Sequence, residues 1–169
     1  EYFGIDAGLN LKGIFAPASF ISDMLSLRTL QNCRVLFHFS RQIRYTKSMA
    51  KSFFFYDLET SGLSARDDRV MQFAGIRTDE NFEPVGEPYN LLVQLNDDTL
   101  PSPDALMVTG ITPQKTLEEG YTEAEFSQIL TDEIFTPDTV VVGFNNIRFD
   151  DEFIRHTLWR CFRDPYEWA

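Results

Sequence analysis

The sequence predicts an α/β domain built on a mixed sheet, and three observations carry that expectation. Strand-like apolar runs open the reading at residue 52, helical periodicity appears only after residue 122, and the two then alternate as strand and helix. The first run, "FFFYDL" (Phe53–Leu58), has apolar residues on both faces, as a central strand requires. "RVMQFAGIRT" (Arg69–Thr78) reads as a second strand, and "DEN" (Asp79–Asn81) supplies a turn. Val85–Leu95 reads as a third strand that completes an antiparallel meander. A Pro-rich connection follows, with a short helix expected near Asp104–Val108.

Thr122 and Glu125 form a capping box, "TEAE". Phe126, Ile129, Leu130 and Ile134 then recur at the helical period, and Pro137 is expected to end that helix. "TVVVGF" (Thr139–Phe144) reads as a fourth strand. Ile147–Phe162 reads as a second long helix, with Phe149, Phe153, Ile154, Leu158 and Cys161 on its inner side. The order of three strands, helix, strand, helix fits the first two-thirds of a ribonuclease H-like domain. Other mixed α/β folds share it.

With 169 residues the chain has the length of one ordinary domain, and 43% apolar content suffices for a core. No apolar run is long enough to span a membrane. Cys33 and Cys161 are far apart and have no CxxC partner, so neither a disulfide framework nor a zinc site is expected. A reducing, cytoplasmic setting is the default.

The net charge of −11 is unevenly spread. Residues 1–48 hold six Lys/Arg and three Asp/Glu, whereas residues 49–169 hold nine and 23, net −14. The acidic part cannot attract a polyanion through its bulk field. Contact with nucleic acid would need local metals, a few placed Arg residues or another domain.

Residues 1–48 carry no motif, with one candidate helix around Ser22–Leu30. Met49 stands just before the first strong strand, so one reading makes Met49 the natural start and the upstream part non-native. A genuine N-terminal extension and a basic targeting peptide are the alternatives. Glu1 at one end and "DPYEWA" at the other read as cut ends, so the chain is taken as a fragment with a partial domain over 49–169. Deleting residues 1–48 is expected to leave the solubility and thermal transition of 49–169 unchanged. A lower transition temperature on deletion would show that they belong to the fold.

Chemistry concentrates in two places. "DLETSG" (Asp57–Gly62) puts Asp57 and Glu59 at i and i+2, on one face of a strand end. Two acids there repel each other and lose hydration, and a metal cation is the usual remedy. "NNIRFDDEF" (Asn145–Phe153) follows the fourth strand and opens a helix. If strands one and four are neighbours, Asp150 approaches Asp57 and Glu59. Three hard oxygen ligands suit Mg²⁺ or Mn²⁺. Two such ions roughly 3.5–4 Å apart can activate water and stabilise the leaving oxygen of a phosphodiester.

D-x-E-T on a first strand, with N-x-x-F-D later, resembles the DEDD superfamily of 3′→5′ exonucleases. "YDLETSG", "QFAGIRTDENFEPVGEP", "LPSPDALMVTGITPQ" and "GFNNIRFDDEFIRHTLWRCFRDPYEWA" resemble the bacterial exonuclease I family, over about residues 52–169. The resemblance implies a single-strand-specific exodeoxyribonuclease of DNA repair and recombination, with two Mg²⁺ or Mn²⁺ ions. It implies that Asp57 bridges both metals, Glu59 completes the site of the nucleophilic water, and Asp150 holds the second metal. Asp151 is the register rival of Asp150. It also implies that Leu58 and Thr60 contact the terminal nucleotide and that Phe149 shapes the pocket.

Arg148 suits either a phosphate contact or an ion pair with Glu152. Single-stranded DNA is the implied partner, single-stranded DNA-binding protein a second, and the chain is expected to be a monomer. The family's third motif, H-x4-D, would supply a general base and a fourth ligand. Cys161 lies five residues after His156 and Ile43 five after His38, so neither His fits. A DEDD-type exoribonuclease, a proofreading subunit and a non-catalytic interaction module are the competing readings.

The remaining polar residues have simpler expectations. Asp67, Asp68, Asp97 and Asp98 read as solvated loop charges. Glu118, Glu119, Glu123 and Glu125 read as acids at or before a helix N-terminus. His156 reads as a helix-face residue, and Trp159 and Trp168 read as packing residues.

Overall fold

A computed structural model describes residues 52–166 and 168. The segment 1–48, with Ser22–Leu30, Cys33 and His38, lies outside the described residues, as does Met49. Four strands form one sheet: β1 (Ser52–Thr60), β2 (Val70–Thr78), β3 (Tyr89–Leu92) and β4 (Thr139–Val142), in the order β3-β2-β1-β4. β1 and β2 are antiparallel, as are β2 and β3, which is the expected meander. β4 returns parallel to β1, in register from Ser52↔Thr139 to Phe55↔Val142. The sheet is therefore mixed, and strands one and four are neighbours.

Alternation along β1 divides the core. Phe54, Tyr56 and Leu58 face the helices and pack with Phe73 of β2. Phe126 of α3 (Glu123–Ile129) and Phe153, Ile154 and Leu158 of α4 (Asp150–Arg160) complete that layer. On the opposite face Phe53 is buried with Val142, flanked by Phe55 and Phe82. Asp57 and Glu59 project on this second face, where the strand runs out of apolar cover. Gly75 lies opposite Tyr56 on β2. A Cβ there would sit 2.8 Å from the Phe55 carbonyl oxygen and closer still to the Phe54 ring, so only glycine fits.

Two short helices, α1 (Pro103–Thr109) and α2 (Pro113–Glu119), fill the connection between β3 and α3. α1 matches the short helix expected near Asp104–Val108. α2 was missed, although its signal is in the sequence: Thr112 caps the helix by accepting from Lys115 N, and Pro113 is its first residue. The Thr122–Glu125 capping box forms as expected, and a π turn (Leu130–Ile134) extends α3. The chain leaves that turn at Phe135, two residues before Pro137.

Several boundaries differ from expectation. β3 covers Tyr89–Leu92 rather than Val85–Leu95: at its start Gly86 is left-handed at φ 78° and Pro88 lacks an N–H donor. β4 stops at Val142 rather than Phe144. Gly143 turns away there, so close to β1 that a Cβ would lie 3.1 Å from Tyr56 O. Ile147–Phe162 is not one helix. A 3₁₀ turn (Asn146–Arg148) comes first, Phe149 breaks the backbone at φ −130°, ψ −75°, and α4 begins at Asp150. Cys161 is half-buried beside Glu123 O rather than in the core.

Arg77 locks the start of β4 in place. Its Nη1 donates to Ser52 Oγ and Thr139 Oγ1, and its Nη2 donates to Ile134 O at 2.7 Å. Trp168 stacks on Phe135 at 4.6 Å, as a packing residue should. Trp159 does not pack: it is two-thirds exposed, on the solvent side of α4. Glu118 and Glu119 end α2 instead of preceding a helix start, whereas Glu123 and Glu125 occupy the first turn of α3. Asp97 and Asp98 are exposed, as expected of loop charges. Asp68 is not merely solvated: it accepts from Ser61 Oγ and Ser64 N and closes the loop that follows β1.

Candidate metal centre

β4 pairs with β1 only as far as Phe55, so the β4 side of β1 loses its strand partner beyond that point. The chain fills this gap from the loop after β4. Asp150 Oδ1 accepts from Leu58 N at 3.2 Å, a contact across 92 residues of sequence. Asp150 is thereby buried and bonded to the residue that stands between Asp57 and Glu59.

Burial and repulsion raise the three acids. Burial raises the Asp57 carboxyl above the usual carboxylate range, against the opposing hydrogen bond from the Leu58 backbone. Burial, together with the Asp57 charge, pushes Glu59 up to about 7. Burial and the same Asp57 charge push Asp150 up to about 8. Asp57 is thus the common neighbour of Glu59 and Asp150. Among the described residues no group of three or more Asp, Glu, His or Cys side chains is placed so that it could hold a metal ion as it stands.

The donor set nevertheless fits a hard divalent cation. Mg²⁺ is commonly held by one or two carboxylates, with waters and substrate phosphates completing the shell. Acids raised by burial, and in Glu59 and Asp150 also by the Asp57 charge, are the groups that a cation would return to the charged form.

These shifts set a stability prediction for the chain in chelator. Asp150 and Glu59 have folded pKa values above their unfolded ones of 3.8 and 4.5. The folded state then holds more protons between those limits, so their contribution is full below the unfolded values and lost as pH rises towards 8. The urea midpoint in EDTA should fall over that window, and Asp150→Asn should flatten the fall. Equal pH slopes for the two proteins would contradict the assignment.

The other expected site residues fall around this centre. Leu58 is buried on the helix side of β1, and Thr60 is buried with its hydroxyl donating to Gly62 O. Phe149 is half-buried with its ring 5.0 Å from Phe153. Arg148 is exposed on the 3₁₀ turn, and the observed ion pair of Glu152 is with Arg155. Asp151, the register rival, is separated from Asp150 by its contacts. It is wholly buried and accepts from the Tyr56 hydroxyl and from Asn146 Nδ2. Sequence reading passed over Tyr56 and Asn146. A polar tip within "FFFYD", on the strand face opposite Asp57, was the available signal.

Comparison with known proteins identifies the family. Residues 54–169 match the RNase_T family model, described as an exonuclease. Exodeoxyribonuclease I of Haemophilus influenzae is 49% identical over 118 residues, covering 70% of this chain and 25% of that protein. Exonuclease I from Methylocaldum szegediense superposes with a TM-score of 0.68 at 50% identity, over 70% of this chain and 25% of the other. A zinc-bound E. coli ExoI–ssDNA complex gives 0.69 at 43% identity, over 71% and 26%. An ExoI/SSB-Ct complex gives 0.69 at 43%, with the same coverage. The chain spans about a quarter of the length of the relatives it matches. The sheet order, the flanking helices and these superpositions make the fold ribonuclease H-like, and the chain belongs to the RNase_T exonuclease family.

Proposed function

We propose that this chain carries part of the active centre of a metal-dependent 3′→5′ exonuclease that releases nucleotides from single-stranded DNA. The observation that carries the reading is the anchoring of Asp150 on Leu58 N, which delivers a third carboxylate to the strand end bearing Asp57 and Glu59. Asp57, Glu59 and Asp150 would hold divalent ions, Mg²⁺ or Mn²⁺. Such ions, when bound, lower the pKa of an attacking water and stabilise charge on the leaving oxygen.

The chain's own residues do the rest. Asp57, whose charge acts on both other acids, would be the ligand shared between the ions. Glu59, pushed up to about 7 by burial and the Asp57 charge, would be held in its charged form by a bound cation. Asp150 Oδ1 on Leu58 N fixes where the third carboxylate stands. Leu58 and Thr60 are the proposed contacts of the terminal nucleotide. Both are buried, which limits them to what the main chain and the strand rim present. Phe149 walls the same pocket, and Arg148 on the exposed turn meets a phosphate.

The net −14 of residues 49–169 opposes binding a polyanion, so affinity has to come from the metals, Arg148 and parts of a longer protein. We assign single-stranded DNA and single-stranded DNA-binding protein as partners, a monomeric state, a role in DNA repair, and the cytoplasm as location. No helix among the described residues is long and apolar enough to cross a membrane.

The test joins residues 52–169 to the remaining three-quarters of a relative such as H. influenzae exodeoxyribonuclease I. The chimera is given 5′-labelled single strands of DNA or RNA with Mg²⁺. Stepwise shortening of the DNA from its 3′ end, stopped by chelator, is the expected result. Preference for RNA would favour the exoribonuclease reading, and no digestion would favour the non-catalytic module.

A further inference from the structure

Asp151 is the most deeply buried acid among the described residues, with none of its surface exposed. Its Oδ1 accepts from the Tyr56 hydroxyl at 2.5 Å and from Asn146 Nδ2 at 3.2 Å. Its Oδ2 is buried with no hydrogen-bond partner among the described residues. A carboxylate that only filled space here would be replaced at no loss by an apolar residue of its size, since an under-satisfied buried charge is costly. The position of its partners suggests what the cost secures. Tyr56 immediately precedes Asp57 on β1, Asn146 opens the 3₁₀ turn after β4, and Asp151 itself follows Asp150 on α4. One oxygen therefore ties together the three segments that meet at the candidate metal centre.

We propose that Asp151 is a positioning residue: gripped by Tyr56 and Asn146, it fixes the turn–helix junction and so sets the Asp150 carboxylate against Leu58 N beside Asp57. The inference rests on the metal-centre reading above. Without the tie, the break at Phe149 leaves the start of α4 held by the single bond from Leu58 N to Asp150 and by packing further along the helix, through Phe153 and Ile154. The backbone break and the absence of a side-chain cap at that helix start make the junction dependent on this contact. Groups that orient metal ligands from behind typically change metal affinity 10- to 100-fold when removed.

The test measures Mn²⁺ uptake by the intact chain, by electron paramagnetic resonance of free Mn²⁺, beside its thermal transition. Tyr56→Phe removes one donor with little change of shape and should weaken Mn²⁺ binding roughly 10-fold. Asp151→Asn keeps an acceptor oxygen for both donors and should bind Mn²⁺ more tightly than Asp151→Ala. The double variant Tyr56→Phe/Asp151→Leu replaces both partners by apolar groups and should recover thermal stability relative to Tyr56→Phe, with Mn²⁺ binding still weak. Mn²⁺ affinity that returns together with stability in the double variant would make Asp151 a packing residue and overturn the inference. Unchanged affinity in Tyr56→Phe would overturn it too, leaving the metal centre standing. No Mn²⁺ uptake by the unsubstituted chain at millimolar metal would overturn the metal-centre reading itself, and this inference with it.

Discussion

Asp57→Ala, placed in the chimera with a full-length relative, should abolish Mg²⁺-dependent digestion of single-stranded DNA. The expected loss is on the order of 10³-fold or more, the scale of losing a preorganised electrostatic group at the reacting centre. Asp57 is singled out because its charge raises both Glu59 and Asp150, which makes it the acid proposed to be shared. The fold should survive. Without metal, removing one of three crowded acids relieves repulsion, and the thermal transition in EDTA should be unchanged or slightly higher. The 169-residue chain alone should digest DNA very weakly or not at all. Neither His38 nor His156 is followed by an Asp five residues on, so the expected base and fourth ligand are not within it. Brisk chelator-sensitive digestion by the purified chain would show that these groups are dispensable. Undiminished digestion by Asp57→Ala would remove the metal centre.

Phe153→Ala should cost roughly 3–5 kcal/mol, as large-to-small changes of fully buried aromatics do. Phe153 has no exposed surface and joins α4 to the layer formed by Tyr56, Leu58 and Phe126. Its ring also meets Phe149 at 5.0 Å, at the backbone break before Asp150. The substitution therefore loosens the element that delivers Asp150 as well as the core. Urea unfolding should show the loss of stability, and Mn²⁺ titration of the protein that remains folded should show weaker binding. A loss below about 1.5 kcal/mol, the size of a mere methyl deletion, would mean that α4 is held by something other than this contact.

Much of the fold was legible because its signals are local. The capping box at Thr122, the apolar run of β4 and the two-faced β1 depend on neighbouring residues alone, and each stands close to where the sequence puts it. Boundaries were less legible where a distant partner decides them. β3 begins late, after a left-handed glycine and Pro88 whose effect depends on pairing with β2. The expected helix over Ile147–Phe162 has the right periodicity, yet Phe149 leaves helical geometry where the chain must bend back to β1.

The candidate site divides in the same way. The residue types and spacing of Asp57, Glu59 and Asp150 determined by themselves which acids to inspect, because paired carboxylates on one strand face and an acid opening a helix are written in consecutive letters. The sequence also left Asp150 and Asp151 as rivals, since adjacent residues at a helix start differ by one register step. Tertiary structure separated them: Asp150 meets Leu58 N at the strand end, while Asp151 turns inward to the Tyr56 hydroxyl. That choice could not be read in advance, because it depends on where β4 stops pairing with β1 and how the chain turns at Gly143. Both are consequences of packing between segments some ninety residues apart.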